Sequence, residues 1–169
     1  MKSTLPRPLL IPAAGHTVPP MTSTLQALAH RCASLIPGTA GCGMTLLTAD
    51  GRRITSVATD RVAERLNALH DVNPQNPCAS AWMHDTVRRA HSSVTRLGWA
   101  PWMASAQGMG VRSVLAAPLC TPRRRLGWVF VYSTRADSYR HGHGRLLTTF
   151  AAAAAHRVDR CQNPHGLPG

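Results

Sequence analysis

The sequence predicts an α+β domain: an antiparallel sheet sandwiched between helices. Three observations predict it. First, Val111–Leu119 and Leu126–Ser133 are almost continuously apolar, the pattern of central strands covered on both faces, and the polar turn Cys120–Arg125 joins them. Second, apolar Gly43–Ala49 leads into Asp50-Gly51, a two-residue turn signal, and Arg52–Thr59 resumes with Ile54 and Val57; this is a hairpin. Third, helix-period segments lie before, between and after these strands, giving the order helix, hairpin, helices, strand, helix, hairpin, helix.

Each element has a local reason. Ser23 and Gln26 stand at capping-box spacing and open a helix whose stripe is Leu25, Leu28, Cys32 and Leu35; Pro37 and Gly38 stop it. After the first hairpin, Asp60 caps a second helix with Val62, Leu66 and Leu69 on one face. Asn76 caps a third, short helix, and Pro77 suits its first position because the missing N–H is not needed there. Val87–Thr95 reads as a weaker strand. Trp99-Ala100-Pro101-Trp102 begins a further helix that Gly108 and Gly110 end. Leu146, Leu147, Phe150, Ala154 and Val158 mark a terminal helix reached through Gly142 and Gly144. Residues 1–21 hold five of the thirteen prolines and show no apolar period, so they read as a flexible leader; 162–169 read as a flexible tail, and 22–161 as the folded unit.

Composition bounds the function. The 169 residues carry 19 Lys plus Arg against 7 Asp plus Glu, a formal charge of +12. The excess arises from scarce acids, since Glu64 is the one glutamate. Leu, Ile, Val and Phe make up about one fifth of the chain, which allows one modest core. No apolar run approaches the ~18 residues that span a bilayer, and the proline-broken N-terminus does not fit a secretory signal. Five scattered cysteines without a C-x-x-C pair read as reduced thiols, which points to the cytoplasm. Phosphate-loop, nucleophile-elbow and H-E-x-x-H motifs are all missing, and the few acids show no paired-carboxylate spacing.

In order along the chain stand Asp50-Gly51-Arg52-Arg53, the Pro77-Cys78 helix start and Trp99-Ala100-Pro101-Trp102. Then come the G-V-R-S-V-L-x-x-P-L run from Gly110 to Leu119 and the L-G-x-x-x-x-Y-S run from Leu126 to Ser133. With these the chain resembles a bacterial GAF domain over roughly residues 22–160, of the subtype often found beside ANTAR RNA-binding domains; after Val158 too few residues remain for an ANTAR part. The resemblance implies a GAF/PAS-like central sheet of five to six antiparallel strands with helices on both faces. It implies a non-enzymatic regulatory or sensor domain, one that binds a small ligand or dimerises through its terminal helices, with a role in signal transduction and transcription regulation. No cofactor or metal is implied.

Trp82, Trp99, Trp102 and Met103 lie on the segments that cover the sheet in this family. They are the candidate walls of an apolar pocket, with Cys78 and Ser113 as its polar contacts; the alternative is that they fill the core. Cys78 in a helix first turn suggests a redox-sensing thiolate, against a plain buried thiol. His141 and His143, and Cys161 with His165, are too far apart along one helix to make a closed zinc set, so no metal is expected. A basic nucleic-acid or acidic-protein surface is the remaining alternative. It requires Arg88 and Arg89 to meet Arg123, Arg124 and Arg125 at one end of the sheet.

Overall fold

A computed structural model describes residues 20–93 and 96–165. Most of the expected leader lies outside the described residues, as do Val94, Thr95 and the last four residues of the tail. The elements are α1 (Met21–Leu35), β1 (Gly41–Leu47), β2 (Arg53–Ala58), α2 (Arg61–Val72), α3 (Pro77–His84) and β3 (Arg88–His91). A 3₁₀ turn (Leu97–Trp99) runs into α4 (Ala100–Gly108), followed by β4 (Ser113–Cys120), β5 (Arg125–Ser133) and α5 (His141–Gln162).

Among the described residues the sheet has five strands in the order β2-β1-β5-β4-β3, every neighbouring pair antiparallel. The two strongly apolar runs, β4 and β5, therefore lie inside the sheet, as their composition requires. Strand alternation sorts β5 onto two faces. Val129 and Val131 join a core with Leu25, Cys32, Leu147, Ala155 and Val158, beneath α1 and α5. Trp128, Phe130 and Tyr132 join a second core with Leu66, Cys78, Trp102 and Met103, beneath α2, α3 and α4.

Two of the expected caps form. Asp60 accepts from Ala63 N at 2.9 Å, and Asn76 Oδ1 accepts from Ala79 N at 2.9 Å. The Ser23–Gln26 capping box does not. Helix α1 begins at Met21 behind Pro20, and Gln26 Nε2 instead donates to Ala58 O at 2.8 Å, tying α1 to the end of β2. The first hairpin is also wider than a two-residue turn. A register shift after Leu46 leaves a loop in which Thr48 N donates to Arg52 O (2.8 Å) and Arg52 N donates to the Thr48 hydroxyl (3.0 Å). Gly51 sits in this loop at φ +87°, a conformation that favours glycine. The stripes read as a dimer seam are spent inside the protomer: Leu25, Cys32, Leu147 and Val158 are fully buried, while Leu35 stays exposed. A helix lying on a sheet uses its apolar stripe for that sheet first.

Candidate functional site

The site is built on α2, α3 and β5. With Asp60 fixing its start, α2 turns Leu66, Leu69 and His70 inward. His70 is 6% exposed. Its ring stacks on Trp102 (centroids 5.9 Å, interplanar angle 14°) and meets the edges of Trp128 (5.7 Å) and Phe130 (5.4 Å). Neither ring nitrogen has a hydrogen-bond partner among the described residues. Burial, and then the nearby Arg53 charge, push its pKa down to about 3, so the imidazole is neutral.

The indole N–H groups of Trp82, Trp102 and Trp128 are likewise buried without partners. Each such group costs about 1–3 kcal/mol when left unpaired, and native interiors hold few of them. Here they gather around one aromatic cluster. Beside it opens a cavity of about 280 Å³ whose lining includes Gly51, Arg53, His70, Asp71, Trp82 and Trp128. The Trp82 ring is 3.1 Å from where a Cβ on Gly51 would stand, so the β1–β2 loop closes on the indole. Arg53 guards the rim, held by Asp71 (2.9 Å) and Asn67 O (2.7 Å). A second cavity, about 350 Å³, adjoins the first along α3; it shares Pro74, Asn76, Ala79 and Met83 and extends to Trp99 and Arg96.

The sequence-chosen residues fall unevenly on this geometry. Trp82 lines the first cavity and Trp99 the second. Cys78, Trp102 and Met103 are packed into the core behind them. Ser113 is fully buried and donates to Arg135 O at 2.7 Å, which engages its hydroxyl away from either cavity. The thiolate reading of Cys78 is overturned: the side chain is completely buried, and desolvation raises its pKa well above the ordinary value, outweighing the positive helix end. Cys120 is also pushed up, to about 11, by burial and then by Asp85. His70, Trp128 and Arg53 went unread in the sequence. A trace of them was there, since His70 follows Leu66 by one helical turn on an apolar stripe, and Trp128 alternates with Phe130 and Tyr132.

The arginines do not merge into one surface. Val87, beside Arg88, packs near Gly144 in the first turns of α5, whereas Arg124 Nη1 pairs with Asp159 at 2.8 Å near its other end. Fifteen residues of helix put about 22 Å between those points. Arg125 is exposed but tied to the end of α3, donating to Trp82 O (3.2 Å) and Met83 O (3.3 Å). No cluster of three or more His, Cys, Asp or Glu among the described residues is arranged to hold a metal ion. No described helix is long and apolar enough to cross a membrane.

Comparison with known proteins gives a consistent picture. The family profile of the GAF domain matches residues 19–159. No curated protein matches the sequence significantly. Among solved structures, a GAF domain/HD domain protein from Geobacter sulfurreducens aligns with TM-score 0.63 at 15% identity, covering 84% of this chain and 94% of that one. A type II free methionine-R-sulfoxide reductase from Thermoplasma acidophilum aligns with TM-score 0.58 at 12% identity, covering 83% and 93%. A GAF domain from Synechocystis, solved in its photoproduct state, aligns with TM-score 0.61 at 12% identity, covering 85% and 96%.

Proposed function

The chain belongs to the GAF domain family, and from that premise we propose that it is a non-enzymatic sensor whose small-molecule ligand enters the cleft between Trp82, Trp128 and His70. One observation carries this reading: buried donors without partners converge where the cavity opens. Trp82 and Trp128 bring indole N–H groups, and His70 a neutral imidazole. The ligand they suit is flat, to lie among aromatic rings, and rich in hydrogen-bond acceptors, to satisfy the indoles. A cationic amine does not suit it, because Arg53 stands at the rim and the imidazole is held uncharged.

Signalling follows from what the cleft touches. Helix α3 rests on β4 and β5, and the opposite face of those strands carries α5. A ligand that favours one seating of α3 shifts the population of the whole layered unit toward that seating. Homodimerisation through the terminal helices belongs to the same proposal. Since the inward stripes are occupied, it uses the outward surface of α1 and α5, where Leu35 is 45% exposed.

Tryptophan fluorescence and melting temperature, titrated with planar carboxylates, carbonyl-bearing heterocycles and matched aromatic amines, test the ligand reading. Acceptor-bearing compounds should quench or shift the emission and raise the melting temperature, and Trp82→Ala should abolish both responses. If no compound moves either readout, the sensor reading fails. Light scattering at tens of micromolar tests the dimer, and a monomer mass would end that part.

A further inference from the structure

A second cavity system lies on the opposite side of the sheet, and nothing in the sensor reading uses it. Between β3 and the first turns of α5 runs a groove of about 640 Å³ whose lining includes Arg88, Arg89, Arg140, His141, Arg145 and Thr149. Among the described residues, none that line it is acidic. We propose that this groove binds a small molecule carrying two or more phosphate groups.

The charge of the lining carries the proposal. Arg52, Arg53 and Arg124 each pair with an aspartate. Along the groove stand Arg89, Arg140 and Arg145, with no carboxylate in its lining. Arg88 borders the groove, but its place opposite Ala116 turns its side chain to the face under α3 and α4. Arg89 is pre-set, its Nη1 donating to Tyr139 O at 2.7 Å, with the rest of the fork left over. Helix α5 adds to the field. Its first turn contains no acid, and Arg140 and His141 stand at its start, against the preference for negative charge at a helix N-terminus. Nothing lies within 4 Å of where a Cβ on Gly142 would stand, so that backbone is open to close approach.

The chemistry selects phosphates. Guanidinium forks bind phosphoryl oxygens in bidentate fashion, and three of them exceed the need of one monoanion. No Trp, Tyr or Phe lines the groove, so it lacks the broad stacking platform that bases use. The four residues of β3 span about 13 Å, room for two or three neighbouring phosphates. The other arginine cluster, a helix length away and tied to Asp159 and α3, does not extend this groove into a track for a nucleic-acid strand.

Isothermal titration of the full chain with inorganic pyrophosphate, orthophosphate and a single-stranded oligoribonucleotide, at low and moderate salt, tests the proposal. Pyrophosphate should bind one site per chain and more tightly than orthophosphate. Arg145→Ala and, separately, Arg140→Ala, both at exposed positions, should each weaken it about tenfold. Arg31→Ala, in a separate basic depression with His30 and Ser34, should leave it unchanged. The proposal is overturned by any of three results. Pyrophosphate gives no binding or binds no better than orthophosphate; Arg31→Ala weakens binding as much as Arg145→Ala; or the oligoribonucleotide binds more tightly than pyrophosphate and ignores the groove variants. None of these results depends on the tryptophan cleft.

Discussion

The two faces of the sheet differ in how completely they are satisfied. Beneath α1 and α5 the core is aliphatic and closed: Leu25, Met44, Val131, Leu147 and Val158 interlock, and the buried Tyr139 hydroxyl meets Thr39 Oγ1 at 3.0 Å. Beneath α2, α3 and α4 the core is aromatic, and an imidazole and three indole N–H groups lack partners among the described residues. The same strand, β5, feeds both, with Val129 and Val131 on one side and Trp128 and Phe130 on the other. The difference teaches that both faces bury apolar side chains, while the unpaired indoles and the buried imidazole gather on one of them, beside a cavity.

Substitutions sharpen or break that contrast. The largest effect belongs to the closed face: Leu147→Ala, fully buried, should cost about 2–5 kcal/mol in denaturant unfolding. A loss no greater than for a surface residue would show that this face does not carry the fold.

Next comes acid. In the unfolded chain His70 takes up its proton near pH 6.5; folded, it does so only near pH 3. The unfolded state therefore binds more protons between these values. Stability is full above pH 6.5 and falls as the pH drops through that window, by at most about 1.4 kcal/mol per pH unit from this group. His70→Phe should flatten that part of a pH-dependent melting curve. An unchanged slope would mean that His70 is protonated, or solvated, in the native protein.

Smaller still is the cap. Asn76→Ala removes the acceptor for Ala79 N and should cost about 0.5–2 kcal/mol, loosening α3 and with it the cleft. Hydrogen exchange of the α3 amides reads this directly, and faster exchange confined to α1 would contradict it. Last is the ion pair of Arg124 with Asp159, partly exposed on both sides. Arg124→Ala should change stability by no more than about 1 kcal/mol, and less in high salt. Thermal melts at two ionic strengths check this, and a larger, salt-independent loss would make the pair part of the closed face.

Much of the fold was legible because it is written locally. Asp60 and Asn76 cap helices wherever they stand before one, Pro77 fits only a first turn, and the apolar length of β4 and β5 demands cover on both faces. The misreadings have a common source. Gln26 has the spacing of a capping box, but its amide donates to the Ala58 carbonyl instead. The expected two-residue turn widens because Thr48 can close a longer loop with its hydroxyl. The site was half visible: Trp82 and Trp99 were picked out by type and position, while His70, Trp128 and Arg53 reach the cleft from elements far apart in the chain.

The sequence by itself determined the elements, their order, the basic charge and the family pattern, because propensity, capping and periodicity act over a few residues. Only the tertiary structure decided which tryptophans line a cavity and which are packing, that Cys78 is sealed, and that Arg89 faces Arg140 and Arg145 rather than Arg123 to Arg125. Those outcomes depend on desolvation and on contacts between residues distant in sequence, and no local rule carries either.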